Sequence, residues 1–223
     1  MAHSASVPAP SGVQFASPVP IIGPQYCAGY PVELEIVRKF SGDFDVIDAQ
    51  GTVIFKVKGK FLKMPDRRVL LDGAGNPIVT LRHKIMTAHH RWQVFRGKSV
   101  EESDLIFSVR RSSMLQLEAK LQVFLASNIQ EDVCDFRVEG SWAERSCEVF
   151  YGESSSKIAK MYKSKTIKTA LTGKDKFSVM IDPNVDYAFI VALIVILDVV
   201  KSFGPTLLNQ AKKMKSLVSL FAP

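Results

Sequence analysis

Two groups of positively charged residues are the part of this sequence best suited to chemistry. The first comprises Lys56, Lys58, Lys60, Lys63, Arg67 and Arg68. The second comprises the first five of the seven lysines between residues 157 and 176, namely Lys157, Lys160, Lys163, Lys165 and Lys168. Lysine and arginine donate charge-assisted hydrogen bonds to phosphate oxygens, and arginine does so in bidentate geometry. If the two groups share one surface, we expect them to bind the headgroup of an anionic phospholipid; a solvated basic face is the alternative.

The overall charge of the 223-residue chain also favours an anionic partner. Its formal net charge is +7 and its isoelectric point is near 9.3. Such a charge attracts both membrane lipids and nucleic acids. Binding to nucleic acid would gain from exposed aromatic side chains among the cations, but most aromatic residues here fall at core positions of the predicted strands. We therefore expect anionic lipid rather than nucleic acid.

Histidine and cysteine residues give little support for catalysis or for metal binding. His89 and His90 are adjacent, so on a strand they face opposite sides and cannot easily share one metal. Cys134 and Cys147 fall on the apolar side of their predicted strands, where cysteine acts as a small buried hydrophobe. The sequence contains no phosphate-binding loop, dinucleotide-binding glycine motif, nucleophile elbow or zinc-protease motif. We predict a protein without enzymatic activity, metal or cofactor, with its histidines in exposed loops.

Alternation of apolar and polar residues predicts a mainly β structure. Between residues 32 and 181, apolar residues recur at every second position in roughly a dozen short runs. Residues 115–125 include good helix formers, but their apolar residues fall at every odd position, which favours one long strand. Residues 48–51 and 72–77 separate alternating runs and are typical of hairpin turns.

Eleven consecutive apolar residues, at positions 187–197, form the most hydrophobic segment of the chain. As a helix they would extend about 16 Å, well short of the ~30 Å hydrocarbon core of a bilayer. A helix that is apolar on every face needs apolar surroundings, and a closed barrel of strands can supply them. We therefore predict an antiparallel β-barrel around a central helix at about residues 184–200, with Asp182 or Asn184 as its N-cap.

The two ends of the chain differ in composition from the predicted barrel at residues 26–200. Residues 1–25 are rich in proline, serine and alanine, which predicts a disordered arm rather than a secretory signal. Residues 201–223 carry apolar residues at three- and four-residue spacing, which predicts an amphipathic helix that packs outside the barrel or lies on a membrane surface. Three cysteines without CxxC spacing favour a reducing compartment, so we expect a cytoplasmic protein.

Several motifs are similar to those of a known plant family. They are residues 26–31 (YCAGYP), 69–75 (VLLDGAG), 91–97 (RWQVFRG), 112–117 (SSMLQL), 134–138 (CDFRV) and 183–189 (PNVDYAF). Their combination resembles the LURP-one-related proteins, whose fold is similar to the tubby C-terminal domain and to phospholipid scramblases. The resemblance implies a twelve-stranded antiparallel barrel around a central hydrophobic C-terminal helix. The calcium-binding segment of scramblases has no counterpart, because Asp182 and Asp186 lack further ligands at suitable spacing.

The resemblance also implies a regulatory role, because tubby proteins bind phosphoinositide headgroups and act as membrane-tethered transcription regulators. Our leading hypothesis is a monomeric, non-enzymatic module that binds anionic phospholipid, in the cytoplasm, at the inner face of the plasma membrane or in the nucleus. The alternative is a protein-interaction adaptor in plant defence or stress signalling, which binds its partner through the N-terminal arm or the C-terminal helix. A shared fold does not choose between these functions.

Overall fold

The computed structural model describes residues 15–39, 42–58, 67–84, 91–112, 119–163 and 175–200. In this part of the chain there are twelve strands and one α-helix, α1, at residues 187–200. The strands are β1 (Val32–Arg38), β2 (Phe44–Ile47), β3 (Val53–Lys58), β4 (Arg67–Asp72), β5 (Pro77–Lys84), β6 (Arg91–Arg96), β7 (Leu105–Arg111), β8 (Ala119–Leu125), β9 (Phe136–Ser141), β10 (Ser146–Tyr151), β11 (Lys157–Lys163) and β12 (Asp175–Ile181).

The strands form one closed antiparallel barrel. Each strand pairs with the next along the chain, and β1 pairs with β12 to close the sheet. At the closure Leu34 lies opposite Val179 and Ile36 opposite Phe177, so the apolar side of both strands faces the interior. The predicted mainly β fold, with twelve antiparallel strands around a hydrophobic helix, is confirmed.

Helix α1 fills the interior of the barrel. Its residues from Ala188 to Leu197 are all at most 3% exposed, and the ring of Phe189 contacts Phe107 of β7 and Phe136 of β9. Burying one such large apolar side chain stabilises the fold by roughly 1.5–3 kcal/mol. The uniformly apolar helix is therefore the centre of the core.

The two mouths of the barrel are distinguished by the direction of α1. At one mouth α1 begins, β12 ends at Ile181, and residues 15–27 cross the opening; we call these residues the strap and this mouth the strap end. At the other mouth α1 reaches Asp198, and Arg38 and Arg68 face inward; we call it the arginine end. Because the strands alternate in direction, the ends of β3 and β11 and the start of β4 all lie at the arginine end.

The predicted turns and the predicted long strand agree with the structure where it is described. Gly51 and Gly75 adopt φ angles of 84° and 95°, which glycine reaches without steric cost, and their N–H groups donate to the carbonyls of Asp48 and Asp72. Strand β8 confirms a strand over Ala119–Leu125, and Leu121 and Val123 at its odd positions are buried. Residues 115–118, the first part of that predicted strand, lie outside the described residues.

The predicted disordered arm is wrong for its second half. Residues 15–25 belong to the strap: Val19 forms a bridge to Val185, Ile22 is buried in the core, and Pro24–Tyr26 form a short 3-10 helix. Their order depends on backbone hydrogen bonds to the start of α1, which side-chain composition does not reveal. Residues 1–14 and 201–223 lie outside the described residues, so the predictions for them stay predictions.

Candidate anion-binding surface and the two barrel ends

The first predicted basic group divides between the outside and the inside of the barrel. Lys56 and Lys58 point outward from β3, as their alternation with Phe55 and Val57 predicts. Lys58 is exposed at the end of the strand, whereas the Nζ atom of Lys56 donates to the carbonyl of Gly73 at 2.9 Å. Lys60 and Lys63 lie outside the described residues.

Arg67 and Arg68 occupy opposite faces of β4. Arg67 lies on the outer face and is half-buried. Arg68 lies opposite the buried Leu81 and is only 8% exposed, so its side chain is inside the barrel. This corrects our expectation that Arg68 belongs to the outer surface, since it shares the inward phase of β4 with Leu70.

The described lysines of the second group form ion pairs with glutamates of β10 and of the turn that precedes it. The Nζ atoms of Lys157 and Lys160 lie 2.6 and 3.3 Å from Glu148 Oε1, and Lys163 Nζ lies 3.0 Å from Glu144 Oε2. Burial tends to raise the pKa of Glu148, but the two lysines outweigh it and hold this pKa below its usual value. Part of the positive charge of this group is thus neutralised within the barrel wall. Lys165 and Lys168 lie outside the described residues.

Between the two basic groups the outer wall is acidic. Strands β2, β1 and β12 separate β3 from β11, and their outward residues include Glu33, Glu35 and Asp45. Lys176 Nζ lies 2.6 Å from Glu35, and Lys39 Nζ lies 2.8 Å from Asp45. Of the described outer basic residues, Lys58, Arg67 and Lys163 lie at the arginine end, whereas Lys157, at the start of β11, lies at the strap end. They do not form a continuous basic face on the side of the barrel.

Inside the arginine end, two guanidinium groups approach the end of α1. Arg38 follows Leu34 and Ile36 in the inward phase of β1, and its Nε atom lies 3.3 Å from Asp198 Oδ1. Burial lowers the pKa of Arg68. The nearby carboxylates of Asp198 and Asp43 act to raise this pKa, whereas the charge of Arg38 lowers it further. Arg38 was not among the predicted site residues, although its position two residues after Ile36 was a usable signal.

A third arginine at this end stacks on aromatic rings. The Cζ atom of Arg145 lies 4.3 Å from the ring centroid of Trp142 and 4.6 Å from that of Phe177. Cation–π contacts of this kind hold a guanidinium in place. Trp92 of β6 also lies at the arginine end, so both tryptophans of the chain are close to it.

At the strap end a single carboxylate organises the chain. Asp186 is fully buried, and its Oδ2 atom accepts the backbone N–H groups of Ile21, Ile22 and Gly23 at 3.0, 2.7 and 3.0 Å. Its Oδ1 atom accepts the N–H of Phe189 at 3.0 Å, which caps α1. The N-cap is therefore Asp186 rather than Asp182 or Asn184.

The histidines and cysteines of the described residues do not assemble a reactive site. His83 lies in β5 and stacks on Trp92 with ring centroids 4.8 Å apart, which corrects its expected place in an exposed loop. Burial and the neighbouring Glu153 raise the pKa of Cys134 to about 12, so its thiol stays protonated. In the described part of the chain, no group of three or more histidine, cysteine or acidic residues could hold a metal ion. His89 and His90 lie outside that part.

Among the described residues, no helix combines the length and the apolar character that a bilayer crossing requires.

The structure defines a class of protein: a closed antiparallel barrel with an apolar helix as its core, one mouth covered by a strap and the other lined by arginine. A family model described as LURP-one-related matches residues 32–198. The chain belongs to this family.

Similarity to individual proteins extends over most of the chain. Protein LURP-one-related 15 of Arabidopsis thaliana is 53% identical over 182 residues, which is 80% of this chain and 84% of that protein. Protein LURP1 of the same plant is 49% identical over 191 residues, covering 84% of this chain and 92% of its own length. The X-ray structure of an Arabidopsis thaliana protein matches with a TM-score of 0.66 and 48% identity, covering 81% of this chain and 98% of that one.

Proposed function

We propose that this LURP-one-related protein is a non-enzymatic regulatory module that binds anionic phospholipid headgroups, preferably phosphoinositides, at its arginine end. One observation carries the proposal: the barrel topology gathers Lys58, Arg67 and Lys163 at the same mouth. In the sequence, the connections that follow Lys58 and Lys163 contain the remaining predicted residues Lys60, Lys63, Lys165 and Lys168.

The electrostatics of the outer residues support such an interaction. A lysine or arginine near an anionic membrane surface contributes about 1 kcal/mol of binding free energy. Lys157, Lys160 and Lys163 are partly neutralised by glutamates, so we expect them to contribute less than Lys58 and Arg67, which form no ion pair within the described residues. Headgroup binding would place the protein peripherally at the inner face of the plasma membrane, and its release would supply a cytoplasmic or nuclear pool.

Vesicle sedimentation at physiological salt tests the proposal. Vesicles of neutral lipid, of neutral lipid with phosphatidylserine, and of neutral lipid with phosphatidylinositol bisphosphate are compared. We expect sedimentation with the last vesicle type, and at least tenfold weaker binding for the double variant Lys58→Glu/Arg67→Glu, because each reversal replaces attraction by repulsion. Lys98→Glu is the matched control, since Lys98 is exposed but lies at the strap end. Wild-type protein that ignores all three vesicle types would contradict the proposal.

A second function, as a protein-interaction adaptor in plant defence or stress signalling, is favoured by one surface loop. Between β8 and β9, Ile129 is 89% exposed and Val133 is 61% exposed. The loop is held in place because the Asn128 side chain donates to the Val133 carbonyl, and Glu131 forms a bidentate ion pair with Arg91. Exposed apolar residues on a fixed loop are suited to a protein partner.

Two changes separate the adaptor from the lipid-binding module. Deletion of residues 203–223 tests the C-terminal segment, and Ile129→Ser tests the loop. Loss of a protein partner with vesicle binding intact supports the adaptor, whereas loss of vesicle binding with the partner retained supports lipid binding.

A further inference from the structure

The interior of the arginine end contains a buried charge without a full set of partners. Arg68 is more than nine-tenths buried, and its Nη1 atom has no hydrogen-bond partner among the described residues. A buried charged donor that lacks an acceptor destabilises the fold. A protein can retain such a destabilising group when the group has a function, and binding of a ligand is one such function.

Among the described residues, the carboxylate of Asp198 faces more than one guanidinium group. Arg38 and Arg68 both approach Asp198, which is 4% exposed and has one carboxylate for two guanidinium groups. Asp43 adds a second, half-buried carboxylate within electrostatic range of Arg68. Arg145 adds a third guanidinium over Phe177, which lies opposite Ile36, the inward neighbour of Arg38 on β1.

The end of a helix attracts cations, but it does not account for Arg68. The partial negative charge at the C-terminal end of α1 favours an arginine nearby. A structural role of this kind would use the guanidinium to donate to helix carbonyls or to Asp198. Arg68 Nη1 donates to neither within the described residues, so its hydrogen-bonding capacity is left for another acceptor.

We propose that Arg38 and Arg68 form an interior site for one phosphate group, separate from the outer lysines. Phosphate has several strong acceptor oxygens, and guanidinium groups recognise it in bidentate geometry. Asp198 then positions Arg38 and competes with the ligand for it. The inference deepens the proposed function, since a phosphoinositide headgroup carries the same group as a soluble inositol phosphate or inorganic phosphate.

Titration calorimetry with inorganic phosphate and with inositol hexakisphosphate, in phosphate-free buffer, tests the site on the full-length chain. Arg68→Gln should weaken the binding of inositol hexakisphosphate about 10- to 100-fold, the usual effect of losing a charged hydrogen bond. Arg110→Gln is the matched control, because Arg110 is a half-buried arginine on the outer face, over Phe124. Equal affinity of Arg68→Gln and Arg110→Gln would overturn the proposal, as would failure of the wild-type chain to bind either probe at millimolar concentration.

Two further variants keep the test decisive if Arg68→Gln does not fold. Arg68→Lys retains the charge but not the fork of donors, and it should bind more weakly than wild type. Asp198→Asn removes the competing carboxylate, so it should bind inositol hexakisphosphate several-fold more tightly. A lower melting temperature of Asp198→Asn without any gain in affinity would show that the cluster is only structural. Intrinsic fluorescence gives a second readout, because Trp142 lies beside Arg145 at this end.

Vesicles containing phosphatidylinositol bisphosphate separate the sources of the phosphate group. Binding of inositol hexakisphosphate that depends on Arg68, without any vesicle binding, would support the interior site while the membrane function fails. Vesicle binding that is lost in Lys58→Glu/Arg67→Glu, together with vesicle binding and inositol hexakisphosphate binding that are both unchanged in Arg68→Gln, would support the membrane function and overturn the interior site. If Arg68→Gln loses the binding of inositol hexakisphosphate and of vesicles, the lipid headgroup binds at the interior site.

Discussion

The strap end and the arginine end of the barrel each bury a charge, but they treat it differently. At the strap end, the carboxylate of Asp186 accepts four backbone N–H groups, from the strap and from the start of α1. At the arginine end, Arg68 is nearly as deeply buried, yet its Nη1 atom has no acceptor among the described residues. A buried ion with all its hydrogen bonds made stabilises a structure, whereas one with donors left over costs stability.

The two ends also differ in the sign of the charge that lies next to α1. Asp186 lies at the N-terminal end of the helix, where the helix dipole favours a negative charge, and Arg38 lies at the C-terminal end, where a positive charge is favoured. Arg68 adds a second positive charge at a place where one is already present. The comparison indicates a structural role for Asp186 and a ligand-binding role for Arg68.

The largest effect should come from removing the carboxylate at the strap end. Asp186→Ala leaves four backbone donors without their acceptor, and we expect the free energy of unfolding to fall by about 4 kcal/mol. Chemical denaturation measures this loss, and hydrogen exchange should show faster exchange at residues 21–23. Asp45→Ala is the control: its exposed ion pair with Lys39 should cost about 1 kcal/mol or less. Similar losses for both variants would remove the distinction between the ends.

Replacing Arg68 or Arg38 by methionine should have different effects on the free energy of unfolding. Arg68→Met removes a buried charge that lacks partners, so in phosphate-free buffer the free energy of unfolding should stay the same or rise by about 1 kcal/mol. Arg38→Met removes the ion-pair partner of Asp198 and should lower the free energy of unfolding by about 2–3 kcal/mol. Thermal and chemical denaturation compare the two variants directly. A loss of the same size for Arg68→Met would make Arg68 a structural residue like Asp186.

A smaller effect concerns the pH dependence of the strap end. Burial raises the pKa of Asp182, and the charge of Lys157 offsets this only in part. A carboxyl whose pKa is higher in the folded state binds its proton more tightly there, so its contribution to stability is full below the usual value near 3.8 and is lost as the pH rises through the folded pKa.

Denaturation of the wild type and of Asp182→Asn from pH 3.5 to pH 7 measures this contribution. The stability of the wild type relative to the variant should increase as the pH is lowered over this range. A constant difference would mean that Asp182 titrates as it does in the unfolded chain.

The fold was predictable because its two strongest patterns are local. Alternation along the strands places apolar residues on one face of the sheet, and residues 187–197 need an apolar enclosure that the strands provide. The site was harder to predict. In β4, Val69, Leu70 and Leu71 are all apolar, which hides the phase of the strand and with it the inward position of Arg68.

The strap was not predictable from side-chain composition. Its residues are rich in proline and lack alternation, and what orders them is a set of backbone N–H groups that contact Asp186 across more than 160 residues of sequence. Any residue other than proline carries such a donor, so the sequence contains no specific signal for the contact.

The amino-acid sequence by itself determined that this chain forms an antiparallel barrel around its apolar helix, because side-chain period and segment length are properties of each segment alone. Only the tertiary structure decided that Arg38 contacts Asp198, that Arg68 is buried within electrostatic range of it, and that the strap contacts Asp186. These contacts depend on the register of each strand pair and on the closure of β1 against β12. Periodicity specifies which face of a strand is inside, whereas register and closure specify which inward residues meet.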